Sequence, residues 1–157
     1  MIQRIQSLFL LVGTVCLALA CFMPVAFVST ADSYYIVTPW AAKLNIPNGE
    51  IIHPTYFIGL LQALLAGLSL VTLFLYKKRP LQSRLCLAGM FITVLLLLLM
   101  LWVYPDSVLL KLPQLFGGEL KFSPWTLLSV IPFGCFYFAN KFIVKDEKMV
   151  RASDRLR

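Results

Sequence analysis

The chain has 157 residues, of which 60% are hydrophobic and 13% charged, with a formal net charge of +7. Soluble domains carry about 25% charged residues, so a soluble fold with a polar shell is excluded, and the length leaves room for a single small domain over residues 1–157. The basic balance does not imply nucleic acid, because Lys and Arg are split among separate segments that border apolar runs and match no nucleic-acid-binding fold.

Four apolar runs follow one another along the chain, each long enough to cross a hydrocarbon core of ~30 Å as a helix. The first is SLFLLVGTVCLALACFMPVAFV, residues 7–28, preceded by Arg4, with Pro24 near its far end. Ala18-Leu19-Ala20-Cys21 faintly resembles a lipoprotein cleavage box. However, Ala18 stands where Leu is preferred and the run continues past the cut, so a retained span is expected. The second run covers residues 54–76, the third 85–104 and the fourth 124–144. His53-Pro54, Arg79-Pro80 and Ser123-Pro124 each place a proline where a first helical turn begins, a position where its missing N–H is no loss. Trp102, Tyr104 and Trp125 fall at span ends facing one leaflet and Tyr76 at the other, as amphipathic rings prefer.

The expected fold is an all-α membrane protein: a four-transmembrane-helix bundle, both termini on one side. That side holds eleven basic residues: Arg4, Lys77, Lys78, Arg79, Arg84, Lys141, Lys145, Lys148, Arg151, Arg155 and Arg157. The other side holds three: Lys43, Lys111 and Lys121. The positive-inside rule then places both termini and the tail, residues 145–157, in the cytoplasm. The two outer loops, residues 30–53 and 105–123, are too apolar to be solvated linkers. Tyr34–Val37 and Ile51-Ile52 have strand character, and Asn48-Gly49 and Gly117-Gly118 read as hairpin turns, which predicts a small β cap.

No Asp, Glu, Lys, Arg or His lies in the middle of any run. Proton relays, ion-coupled transport and intramembrane proteolysis use such residues, so an enzyme is not expected. The four cysteines, Cys16, Cys21, Cys86 and Cys135, all fall inside apolar runs and read as small hydrophobes. His53 has no companion that would make it a metal ligand. No cofactor is expected.

Three polar or small-residue signals remain. Gly59, Ala63 and Gly67 form a small-xxx-small ladder at helical spacing, which allows close helix approach within the bundle or a face for a partner. Gln62 and Asn140 are the notable polar residues in the runs. They read as interhelical hydrogen-bonding groups, or as contacts to a lipid-like ligand such as a quinone. In the tail Glu147 and Arg151 stand at i, i+4, and Asp154 and Arg157 at i, i+3, so a helical continuation of the fourth span is expected. It would serve as an anchor on anionic membrane lipid or as a dock for a protein partner; the interleaved acids Asp146, Glu147 and Asp154 favour the dock. The docking surface so read comprises Gln3, Arg4, Lys77, Lys78, Arg79, Arg84, Lys145, Lys148, Arg151, Asp154, Arg155 and Arg157.

The start MIQRIQSLFLL, the connection YKKRPLQSRLC and the ending KDEKMVRASDRLR together resemble a family of small bacterial inner-membrane proteins catalogued as a domain of unknown function. The resemblance covers the whole chain and implies four spans and a cytoplasmic tail. It implies no catalytic residues. The leading expectation is a non-enzymatic membrane subunit or assembly factor; the alternative is a carrier or redox-accessory protein holding a lipid-like ligand between helices.

Overall fold

A computed structural model describes residues 2–29, 34–44, 51–54, 56–76, 78–103 and 119–154. The chain begins with helix α1, Ile2–Ala20. Four short strands follow: β1 Ala26–Ser29, β2 Tyr34–Val37, β3 Ala41–Leu44 and β4 Ile51–Pro54. Helix α2 is Tyr56–Phe74 and α3 is Arg79–Leu98, the latter prolonged by a π-helical turn over Leu99–Val103. Strand β5, Glu119–Phe122, leads through a 3-10 turn, Pro124–Thr126, into helix α4, Leu127–Asp154. Three stretches are long and apolar enough to cross a membrane: Tyr56–Phe74, Arg79–Trp102 and Pro124–Val150. Ile5–Ala20 is a shorter apolar helical stretch.

The expected first span, residues 7–28, is corrected at both ends. Its helix starts at Ile2 and stops at Ala20, and residues 26–29 are strand β1. Pro24 has no N–H to return to the Ala20 carbonyl, so continuing the helix through it would cost about 3 kcal/mol; here the chain turns into strand β1 instead. The third helix begins six residues earlier than the expected 85, at Arg79, with Pro80 in its first turn. The strand segments Tyr34–Val37 and Ile51-Ile52 are strands as expected; the second runs on through Pro54, the residue expected to open the second helix, and α2 starts at Tyr56; β1, β3 and β5 are additional. The hairpin turns expected at Asn48-Gly49 and Gly117-Gly118 lie outside the described residues.

The five strands form one antiparallel sheet in the order β4-β3-β2-β1-β5. Its inward residues Ala26, Val28, Tyr35, Val37 and Ala42 join Leu10, Leu17, Ile58, Leu65, Leu96 and Phe136 in one core cluster. The sheet therefore closes one end of the helices. Backbone hydrogen bonds weld the two layers. The Val25 carbonyl accepts from Ser123 N at 2.9 Å and from Thr126 Oγ1 at 2.7 Å, tying β1 to the start of α4. The Pro39 carbonyl accepts from Gly59 N at 3.0 Å, filling one of the four N–H groups that a helix start leaves open.

Each helix touches the next, and α4 closes back on α1. Buried positions recur with a seven-residue period: 6, 10, 13, 17 and 20 in α1; 58, 62, 65, 69 and 72 in α2; 82, 86, 89, 93 and 96 in α3; 129, 132, 136, 139 and 143 in α4. That spacing keeps one seam turned inward along each helix. The residues on it are unusual for a water-soluble core. Gln6, Gln62, Ser69, Thr72, Gln82, Thr93 and Ser129 are buried, while Leu8, Leu64, Phe74, Phe91 and Leu127 are more than half exposed. Polar groups inward and bulky apolar groups outward suit helices surrounded by lipid, where only the interior offers hydrogen-bond partners.

Candidate functional site

The expected docking residues cluster at the end of the helices opposite the sheet. The backbones of Gln3 and Arg4 lie in the first turn of α1, and Arg79 and Arg84 lie in the first two turns of α3. Lys78 and Arg84 are exposed. Lys77, Arg155 and Arg157 lie outside the described residues. Helix α4 carries Lys141, Lys145 and Lys148, all exposed, at i, i+4 and i+7, so they share one face. Arg151 and Asp154 occupy its last turn.

Helix α4 runs unbroken for 28 residues. The Asp146 carboxylate lies 3.3 Å from the Arg79 guanidinium, fastening α4 to the start of α3. The eight residues after Asp146 extend about 12 Å further at 1.5 Å per residue. Met149 and Val150, each 43% exposed, project from this extension beside Lys148. Asp146, read from the sequence as an acid available to a partner, is thus engaged within the chain.

Gln62 and Asn140 are not brought together. Gln62 is fully buried and its Nε2 donates to Ser129 Oγ at 3.2 Å, across the α2–α4 contact. Its Oε1 has no hydrogen-bond partner among the described residues. Asn140 Oδ1 accepts from Ser83 Oγ at 2.6 Å, across the α3–α4 contact. Ser129 and Asn140 are eleven residues apart on α4, about 16 Å along the axis, so one small ligand does not touch both amides.

The Gly59, Ala63, Gly67 ladder does not follow a helix–helix seam. A Cβ on Gly59 would lie 2.6 Å from the Trp40 ring, so the glycine admits an indole from the β2–β3 turn. Ala63 and Gly67 are exposed, a Cβ on Gly67 meets nothing, and both line a shallow apolar groove with Leu60, Leu64, Leu68 and Val71. Close helix approaches are instead at Gly89, where a Cβ would lie 2.8 Å from the Phe136 ring of α4, and at Gly13, where it would lie 3.2 Å from Cys135 Cβ of α4.

Sequence reasoning missed Trp40, Gly89, Ser83 and Ser129. Trp40 Nε1 donates to the Cys21 carbonyl at 2.8 Å, capping the end of α1. The available signal was the seven-residue register, which puts Gly89 and Ser129 on inward seams. His53 sits in β4 opposite Ala42. Cys16, Cys21, Cys86 and Cys135 carry free thiols. Among the described residues no group of three or more His, Cys, Asp or Glu is placed to hold a metal ion. Trp102, Trp125 and Tyr76 are exposed at helix ends; Tyr104 lies outside the described residues.

Comparison with family models matches residues 2–156 to a domain of unknown function, DUF4293. Comparison with curated proteins returns no match.

Proposed function

The chain belongs to the DUF4293 family, and from that membership and the arrangement above we propose that it is a non-enzymatic subunit or assembly factor of the bacterial inner membrane, a four-helix bundle with both termini cytoplasmic. Its basic end docks a protein partner. The proposed docking surface takes in the α4 extension with Lys145, Lys148, Arg151 and Asp154, the α3 start with Lys78, Arg79 and Arg84, the first turn of α1 with Gln3 and Arg4, and, from the sequence alone, Lys77, Arg155 and Arg157.

One observation carries this reading: α4 passes the Arg79–Asp146 ion pair without a break. A helix that continues along the axis of its span stands away from the bilayer. It presents Lys148, Met149 and Val150 to a partner's groove, in the manner of a helix recognised through spaced anchors. An in-plane lipid anchor would need a turn between span and tail.

The test is affinity purification from native membranes in mild detergent, with chemical crosslinking and mass spectrometry. A stoichiometric partner is expected with the intact chain and lost when Arg151, Arg155 and Arg157 are neutralised together. Unchanged partner recovery by that variant sinks docking through the tail. Protease added outside intact spheroplasts should leave the tail uncut; cleavage there overturns the orientation.

The second reading, a lipid-like ligand held between helices, draws support from the unpartnered Gln62 Oε1. Under it, the purified protein carries a stoichiometric small molecule that Gln62→Met releases.

A further inference from the structure

Three facing pairs define the α3–α4 seam: Arg79 with Asp146, Ser83 with Asn140, and Gly89 with Phe136. One number rises as the other falls, so the helices are antiparallel. In an antiparallel pair, the residue after each facing partner turns about 100°, and both successors emerge on the same flank. The successors of Ser83 and Asn140 are Arg84 and Lys141, both exposed. Two cations therefore stand at one depth on one flank, astride a 2.6 Å hydrogen bond. The Ser83 hydroxyl donates to Asn140 Oδ1, which leaves the Nδ2 hydrogens of Asn140 unused by that bond.

The same flank turns apolar toward the sheet end. Leu87, Phe91 and Tyr137 are exposed there, Phe91 to 75%. Beyond them Val94, Leu98, Val130 and Phe133 line an apolar groove of about 450 Å³. Val94 is ten residues from Arg84, about 15 Å along α3, which is half of a hydrocarbon core of ~30 Å.

The geometry points to a binding site for one anionic glycerophospholipid: Arg84, Lys141 and the Asn140 amide hold its phosphate, and one acyl chain lies along the seam past Phe91 to the mouth of the groove. This rests on the reading that the basic end lies at a membrane surface. The guanidinium offers a planar fork suited to phosphate oxygens and the ammonium a point charge beside it. The apolar strip directly adjoining the cations selects an amphiphile over free phosphate. Net negative charge is favoured over a zwitterion because the two cations share this flank while Asp146, the carboxylate already identified on this seam, is engaged by Arg79. The site takes Arg84 from the proposed docking surface but lies apart from the α4 extension, so it is compatible with a protein docked on that extension.

Native mass spectrometry of the purified chain, titrated with phosphatidylglycerol or phosphatidylcholine in detergent, tests it. Wild type should retain phosphatidylglycerol preferentially. Arg84→Gln with Lys141→Gln should weaken that binding roughly 30-fold, about 5-fold for each cation removed. Asn140→Asp, which keeps the volume and reverses the polarity, should weaken it too. Lys43→Gln with Lys121→Gln removes the same charge from exposed positions on the sheet, outside the site, and should leave the preference intact. Equal losses in the two double variants mean diffuse electrostatics and overturn the site, as does undiminished binding by the first. Displacement by millimolar inorganic phosphate overturns the lipid assignment. Release of wild type from membranes by alkaline carbonate overturns both this site and the membrane reading, whereas retention without lipid preference overturns this site alone.

Discussion

Trp40 packs against Gly59: the glycine's missing side chain leaves room for the indole, whose Nε1 reaches the Cys21 carbonyl at 2.8 Å. A single residue of the cap thus seals the end of α1 and packs on the first turn of α2.

Gly59→Ala should therefore destabilise the protein by about 1–3 kcal/mol, the usual cost of overpacking a filled site. Gly67→Ala, on the same ladder but facing open space, should be neutral or stabilising by up to about 1 kcal/mol, the helix-propensity difference. Thermal unfolding in detergent reads both. Equal effects would mean that the ladder acts as one packing motif after all.

At the close approach of α3 to α4, Gly89→Ala should cost a similar ~1–3 kcal/mol by pressing on the Phe136 ring. Phe136→Leu in the same chain should recover part of that loss, because residues in contact are not additive. Strict additivity in unfolding measurements would contradict the packing described.

Ser129→Ala removes the hydroxyl that accepts from the buried Gln62 amide and should cost about 1–3 kcal/mol, the penalty for orphaning a buried polar group. Adding Gln62→Met removes the orphan too, so the double variant should be more stable than Ser129→Ala alone. A double variant that is less stable than either single would show that Gln62 has partners other than Ser129.

The Arg79–Asp146 contact is partly exposed, with side chains 29% and 15% accessible. Asp146→Asn should therefore cost less than about 1 kcal/mol, and the difference from wild type should shrink at high salt. Exchange of the two charges, Arg79→Asp with Asp146→Arg, should restore most of the loss in the same denaturation assay.

Ala152→Pro should interrupt α4 beyond the ion pair, because it removes the hydrogen bond to the Lys148 carbonyl and an interior proline costs a helix about 3 kcal/mol. Partner recovery from membranes should fall sharply while the unfolding temperature of the detergent-solubilised protein stays near wild type. Undiminished recovery would show that the partner does not read the extension as a helix.

Much of this architecture was legible in the chain. The runs at 54–76, 85–104 and 124–144 were recognisable because the bilayer imposes length and apolarity, which are local properties. The strands at Tyr34 and Ile51 were recognisable from β-branched and aromatic residues between turn signals. The end of the first run is not legible from hydropathy, which does not register the backbone cost of Pro24 or that Ala26–Ser29 then pair as strand. Gln62 and Asn140 were visible as polar residues in apolar surroundings, but their separation was not, because partners such as Ser129 and Ser83 belong to other helices. Gly59 was noticed for its spacing and Gly89 overlooked, although only the latter lies against a neighbouring helix.

Length, apolarity and the crowding of lysine and arginine at one end thus emerge from composition and order alone, since each depends on how a segment partitions between water and lipid. Which small residues accept a neighbour, which amide meets which hydroxyl, and which cations share a flank depend on how the helices are rotated against one another. Van der Waals fit settles that rotation in lipid, where the hydrophobic effect no longer distinguishes one helix face from another.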